Sequence, residues 1–167
     1  MTVGEGLTRE SAEPEFAAWV QPHLSAMTHL AARLVAPADR DDVVQESLVR
    51  AWRRRSTYDP SRGSALGWLL AIVTDQARRR RTRAHPPSLP LDRVDGAALD
   101  RARDLDLERA ITHLSTRQRL AVDLHYFVGL DVVTCAEVMG CAEGTVKATL
   151  HHARARLRAL LDKGSER

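Results

Sequence analysis

Apolar residues recur along this chain at spacings of three and four, the rhythm of amphipathic helices rather than strands. From Glu13 to Val35 the series Phe16, Val20, Leu24, Met27, Leu30 and Leu34 keeps one face apolar, and Pro22 is placed to kink or split the helix. Pro37 marks a helix start, and Asp39 to Arg55 reads as the second helix. STYDPSRGS (56–64) interrupts the rhythm with the turn chemistry of Asp-Pro and Arg-Gly. Ser64 then caps a third helix that runs through Trp68, Leu69 and Ile72 into RRRRTR (78–83). AHPPSLPLDRVDGAALD (84–100) has no period and is rich in proline, so it reads as a linker. Helical spacing resumes with Leu105, Leu107, Ala110, Ile111 and Leu114. Ser115 caps the next helix, which carries Leu120, Ala121, Leu124 and Phe127 and is ended by Gly129. Two more helices, about 131–139 and 143–162, flank the turn Gly140-Cys141-Ala142. The pattern predicts an all-α fold: a disordered N-terminus (1–12), a first helical body (13–83), a linker (84–104), a second helical body (105–162) and a short tail (163–167).

The second helix has an unusual outer face. Val44, Leu48 and Ala51 share one side at 100° per residue, and Asp42, Gln45, Glu46, Val49 and Arg53 occupy the other. An acid–amide patch around one exposed valine carries no histidine, cysteine or serine to make chemistry of it, and so it reads as a surface for touching something.

Composition narrows the class. Aromatics make up only 4% of the 167 residues, which favours cores of Leu, Val and Ala in packed helices. The net charge is +3 and the pI about 9.3, with Lys147 and Lys163 the only lysines. Arginine forks suit phosphate and carboxylate recognition. Codon bias explains an arginine excess as readily as function does, so only the clustering of arginines bears on function. Cys135 and Cys141 are too few for a disulfide scaffold and match no common zinc spacing; they read as small core residues in a reducing compartment, with no metal and no cofactor expected. The longest apolar run, ALGWLLAIV (65–73), is too short to span a bilayer, and the N-terminus lacks the pattern of a signal peptide. A cytoplasmic protein without membrane insertion is expected. No paired carboxylates, metal cluster or nucleophile–base set has convincing spacing, so an enzyme is not expected.

The C-terminal stretch VVTCAEVMGCAEGTVKATLHHARARLRALL (132–161) has the form of a helix-turn-helix: a short helix, a glycine turn and a longer helix starting near Glu143. Val146, Leu150, Ala153 and Leu157 make the buried stripe of the longer helix. Glu143, Gly144, Thr145, Lys147, Ala148, His151, His152 and Arg154 are its candidate DNA contacts. The first residues of such a helix reach base edges and the later basic ones clamp phosphates.

In the first body, the polar loop from Tyr58 to Ser64 lies beside Trp68 and an Arg-studded helix end. That combination suits an extruded base held by stacking, edge contacts and backbone neutralisation. Trp52 and Trp68 lie on apolar stripes and read as core; Tyr58 reads equally as core or as a base platform. The like charges of Arg78 to Arg81 and Arg83 are costly together unless a polyanion or water screens them, although the helix C-terminus offsets part of that cost.

DRDDVVQESLVRAW, YDPSRGSALGWLLAIV, the basic helix end, the linker, and LSTRQRLAVDLHYFVGL followed by GCAEGTVKATLHHARARL together resemble a bacterial sigma factor of the sigma-70 family, in its extracytoplasmic-function group (group 4). The resemblance spans roughly residues 14–162 in the order region 2, linker, region 4. It implies that the helix 39–55 docks on the clamp helices of the largest subunit of RNA polymerase, with Asp42, Gln45, Glu46, Val49 and Arg53 as contacts, and that the flap of the second-largest subunit is a further partner. It implies that the loop 58–64 and the helix after it read and melt the −10 element. Tyr58 would line the flipped-base pocket, and Arg62, Ser64, Asp75 and Arg78, Arg79, Arg80 and Arg81 would lie along the strand, the arginines holding its backbone. The helix 143–158 would read the −35 element as duplex. About 20 extended linker residues reach ~70 Å, enough for two sites somewhat under two helical turns apart. An anti-sigma protein is a partner common in the group. The departures are Asp75 where asparagine is frequent, Ala65 in place of a bulky residue, Ala148-Thr149 in place of Ser-Arg, and His152 in place of arginine; these bear on promoter sequence rather than on class. The competing reading is a stand-alone helix-turn-helix regulator whose N-terminal body dimerises, which would bind duplex tightly without polymerase.

Overall fold

The computed structural model of the chain describes residues 9–83 and 98–164, with side chains over 13–83 and 105–162. Residues 1–8, the proline-rich stretch 84–97 and the last three residues lie outside the described residues, and with them most of the expected disordered terminus, linker and tail.

The first body holds helices α1 (Arg9–Val20), α2 (Leu24–Leu34), α3 (Arg40–Arg54) and α4 (Ala65–Arg83). Pro22 does split the first predicted helix: a tight turn, Gln21–His23, separates α1 from α2. Pro37 opens another such turn before α3. The N-terminal helix begins at Arg9, inside the segment expected to be disordered. The second body holds α5 (Ala98–Thr112), α6 (Thr116–Val122), α7 (Val132–Met139) and α8 (Glu143–Gly164). Here α5 corrects the linker boundary, because it starts at Ala98 rather than after residue 104. Ala98, Leu99, Ala102 and Leu105 follow one another at helical spacing among strong helix formers, and no proline follows Pro90 to stop them.

Local chemistry sets several of the helix ends. The Ser64 hydroxyl accepts from the Gly67 N–H at 3.0 Å at the start of α4. Ser115 and Gln118 form a reciprocal capping box on α6. Asp131 caps α7 by accepting from the Thr134 N–H at 2.7 Å. Gly140 ends α7 at φ 59°, a left-handed conformation that costs glycine nothing, and the Cys141 N–H closes the cap on the Ala136 carbonyl at 3.1 Å.

Between α6 and α7 the chain makes a π-helical turn, Asp123–Phe127, with the Val128 N–H reaching back to the Asp123 carbonyl at 2.9 Å. The wider turn rotates Tyr126 and Phe127 outward, to 51% and 38% exposure. Phe127, expected on the apolar stripe, therefore lies at the surface.

The core of the first body is Met27, Leu30, Ala31, Val43, Ala51, Leu69, Leu70, Val73 and Ala77; that of the second is Leu114, Ala121, Leu124, Cys135, Val146, Leu150 and Ala153. The two are continuous, because α7 packs along α4 and the π-helical turn packs on α2. The bodies are docked on one another rather than held apart.

Candidate nucleic-acid interface

Helix α3 buries Val43, Ser47 and Ala51, one residue in four, with the Ser47 hydroxyl satisfied by the Val43 carbonyl at 2.6 Å. Val44 and Leu48, expected at the centre of the buried face, flank that line and are only partly covered. The outer face is as expected. Asp42, Gln45, Glu46 and Arg53 are exposed, and Val49 is 49% exposed in their midst.

The loop after α3 is shaped by its own side chains. Asp59 accepts from the Ser61 hydroxyl at 2.7 Å and the Ser61 N–H at 2.9 Å, and these bonds hold its carboxyl below the usual carboxylate range. The half-buried Tyr58 ring packs against Trp19 and Trp68, with centroids 5.3 and 5.6 Å away, and its hydroxyl reaches the Gly63 carbonyl at 3.4 Å. Phe16 extends the cluster to Trp52 at 5.2 Å. Trp52 and Trp68, both expected in the core, are only half-buried: Trp68 packs against the core from outside, and Trp52 lies beyond it under the Arg55 guanidinium. Trp19 is the member that periodicity alone did not pick out. Next to this cluster a cavity of ≈ 340 Å³ is lined by Tyr58, Arg62, Gly63, Ser64, Gly67 and Trp68.

The basic end of α4 is less free than its sequence promised. Asp75 binds Arg78 at 2.7 Å and Arg79 at 2.9 Å, with Arg50 at 3.4 Å. Burial works against ionisation of Asp75, but the bonds from Arg78 and Arg79 outweigh it and hold the carboxyl below its ordinary value. Arg80 is drawn to the start of α3, where it binds Asp39 at 2.7 Å and Asp42 at 3.2 Å. It ties the basic run to the acidic face, whereas the sequence placed it with the other arginines on the strand backbone. Arg81 and Arg62 are exposed.

In the helix-turn-helix, α8 buries Val146, Leu150 and Ala153 and turns Glu143, Gly144, Thr145, Lys147, Ala148, His151, His152 and Arg154 to the outside, as the sequence predicted. Glu143 faces Lys147 one turn on, at 3.8 Å. Cys135 is fully buried in α7, and burial pushes its thiol up to about 11; Cys141 is half-buried. No cluster of three metal-ligating side chains occurs among the described residues. Nor is any helix among them long and apolar enough to cross a membrane.

Four residues that sequence reasoning passed over join the bodies. Arg33 of α2 binds Asp123 at 2.7 Å and Glu108 of α5 at 2.8 Å, with its guanidinium 3.8 Å above the Phe127 ring. Burial drives the Asp123 carboxyl above the ordinary value in spite of Arg33. Burial would lower the Arg33 guanidinium, but Glu108 and Asp123 together hold it charged. At the other edge of the contact, Glu137 of α7 accepts from the Ser64 hydroxyl at 2.6 Å and from the Ser64 N–H at 3.2 Å. Each contact joins residues too far apart in the chain for local spacing to reveal it.

A helical body followed by a helix-turn-helix body is the architecture of a DNA-binding transcription factor. Residues 19–85 match the family described as Sigma-70 region 2, and residues 104–157 match the one described as Sigma-70, region 4. The chain is 32% identical to the ECF RNA polymerase sigma factor SigL of Mycobacterium tuberculosis over 84% of its own length and 85% of the relative's. It is 37% identical to the ECF RNA polymerase sigma factor SigF of Caulobacter vibrioides, over 77% and 72%. Among solved structures, CnrH in complex with the cytosolic domain of CnrY superposes with TM-score 0.69 at 27% identity, covering 90% of each chain. The sigma factor RpoE in complex with the anti-sigma factor NepR from Bartonella quintana gives 0.69 at 26%, covering 89% and 97%. The chain belongs to the sigma-70 family as an extracytoplasmic-function sigma factor: it directs transcription initiation and binds DNA through region 4.

Proposed function

We propose that this group 4 sigma factor docks on the clamp helices of the largest subunit of RNA polymerase through Asp42, Gln45, Glu46, Val49 and Arg53, and that the flap of the second-largest subunit receives region 4. The observation that carries the docking face is the solvent-facing acid–amide patch on α3 with Val49 exposed at its centre. Charges at the rim of such a patch set orientation and association rate, and the valine supplies a dry contact. The −10 strand enters at Tyr58, Arg62 and Ser64, with Asp75 and Arg78 to Arg81 along its path. The exposed side of α8 reads the −35 duplex in the major groove. Opening the DNA draws on binding energy: unstacking costs a few kcal/mol per base, offset by capture of the strand and by polymerase contacts. An anti-sigma protein holds the factor inactive in the cytoplasm until a signal releases it. Support for that partner comes from the likeness to RpoE, solved in complex with the anti-sigma factor NepR.

Run-off transcription with core polymerase across a genomic promoter library tests this. Specific transcripts are expected only when core and the factor are both present, and the isolated chain is expected to bind duplex weakly. Tight, specific duplex binding by the chain alone, without polymerase-dependent transcription, would overturn it in favour of a stand-alone regulator. Alongside that assay, Glu46→Lys is expected to slow association with core about tenfold at unchanged helicity, read by surface-immobilised core and circular dichroism.

A further inference from the structure

The cavity beside Tyr58 is lined in part by a side chain of the second body, Glu137. Glu137 reaches across from α7 and places one carboxylate oxygen 2.6 Å from the Ser64 hydroxyl, with both oxygens 3.2 Å from the Ser64 N–H. Ser64 is the residue at the start of α4, and its hydroxyl is already the acceptor for the Gly67 N–H. A helix start of this kind, with the positive end of the helix dipole behind it, favours an anion. The anion now seated there belongs to the chain itself.

The approach is close enough to dictate the residues around it. A methyl group at Gly67 would overlap the Glu137 carboxylate outright, and one at Gly63 would lie 3.3 Å from it. Gly67 stands within a helix, where glycine costs about 1 kcal/mol relative to alanine. Its lack of a side chain is what lets α7 come down onto α4. At the opposite edge of the contact Arg33 binds Asp123 and Glu108, so the two bodies are held together on both sides.

From this geometry we infer that Glu137 is an internal stand-in for a strand phosphate. In the closed form it occupies the anion position at the start of α4 and bars single-stranded DNA from the Tyr58 cavity, and the site opens when region 4 lifts away from region 2. Carboxylate and phosphodiester make the same demand on the Ser64 hydroxyl and amide, so they exclude one another. The clasp acts within the chain, in addition to any partner that holds the factor inactive. The inference rests on the reading of the 58–64 loop as the −10 strand site and adds how that site is closed.

The test uses the full-length chain. The probe is a fluorescent oligonucleotide of about 12 nucleotides, within the range that such single-strand sites cover, carrying the non-template strand of a promoter that the holoenzyme opens. Glu137→Ala is expected to bind it about tenfold more tightly than wild type in the absence of polymerase, the effect of one charge-assisted contact. Gly67→Ala keeps the charge of the chain and expels the carboxylate sterically, so it separates clasp release from a general change in charge. It is expected to tighten binding to the same extent. In both variants hydrogen exchange across 58–68 should quicken, while promoter opening by the Glu137→Ala holoenzyme stays at the wild-type level. Equal oligonucleotide binding by wild type and both variants, with unchanged exchange, would overturn the inference alone, provided that opening by the holoenzyme depends on Tyr58. Opening that is indifferent to Tyr58→Ala would overturn the reading of the loop, and the inference with it.

Discussion

Asp75 shows how a single residue can retune a basic surface. It lies one turn before the arginine run and takes hydrogen bonds from Arg78 and Arg79, with Arg50 also close. In its sequence setting the aspartate reads as a charge that repels phosphate. In the fold its larger effect is to occupy two of the cations that the proposed strand path would use. Their exposed pairing contributes little to stability, so the consequence falls on binding. Asp75→Asn is expected to leave folding nearly unchanged and to free both guanidiniums. The affinity of the holoenzyme for the −10 strand should rise at low salt, and the plot of log affinity against log salt should steepen by about 0.7 for each additional phosphate that the freed arginines neutralise on a single strand. A slope equal to wild type would mean that Arg78 and Arg79 do not meet the backbone.

Among the elements, those whose ends are set by nearby side chains were the ones that could be read in advance. Ser64, Ser115 and Gly140 cap where their residue types and positions said they would, because a cap needs only partners two to five residues away. The split at Pro22 and the outward faces of α3 and α8 were legible for the same reason: a proline or a 3.6-residue period is complete within the segment that shows it. The start of α5 was not, since the prolines upstream masked the strong helix formers after Asp95. The π-helical turn was missed because one extra residue per turn leaves no composition signal, and it moved Phe127 from the core to the surface. Glu137, Arg33 and Asp123 stayed invisible for a deeper reason. Each acquires its partner only when the two bodies dock, and no spacing within a helix encodes a partner 73 or 90 positions away. The capping box offers a direct check at this scale. Ser115→Ala should lower stability by about 1 kcal/mol, read as a shift in the chemical denaturation midpoint with an unchanged slope. A loss below a few tenths would show that packing, not the cap, fixes the start of α6.

At the scale of the whole molecule, stability and closure meet at the Arg33–Asp123 pair. Its side chains are only 10% and 1% exposed, and the second oxygen of Asp123 is buried without a hydrogen-bond partner. Asp123 is therefore a carboxyl whose value is raised on folding by burial. The contribution of such a group to stability is fully present below its unfolded value, ~3.9, and is lost as pH rises through the raised folded value. Wild type should accordingly lose more stability than Asp123→Asn as the pH is raised from about 4 towards neutrality, with the two denaturation series converging at the acid end. Parallel series over that range would show that Asp123 is no more protonated in the fold than in the unfolded chain. Because the pair bridges α2 and the π-helical turn, the same pH interval should move the balance between docked and parted bodies.

The two cysteines give the opening of the fold a chemical clock. With its thiol pushed up to about 11 and buried, Cys135 offers an alkylating reagent very little thiolate at neutral pH. Cys141, just beyond the end of the same helix and half-buried, sits nearer solvent. Iodoacetamide should therefore mark Cys141 well before Cys135, so that one mass spectrum taken over time separates local breathing from the opening that bares α7.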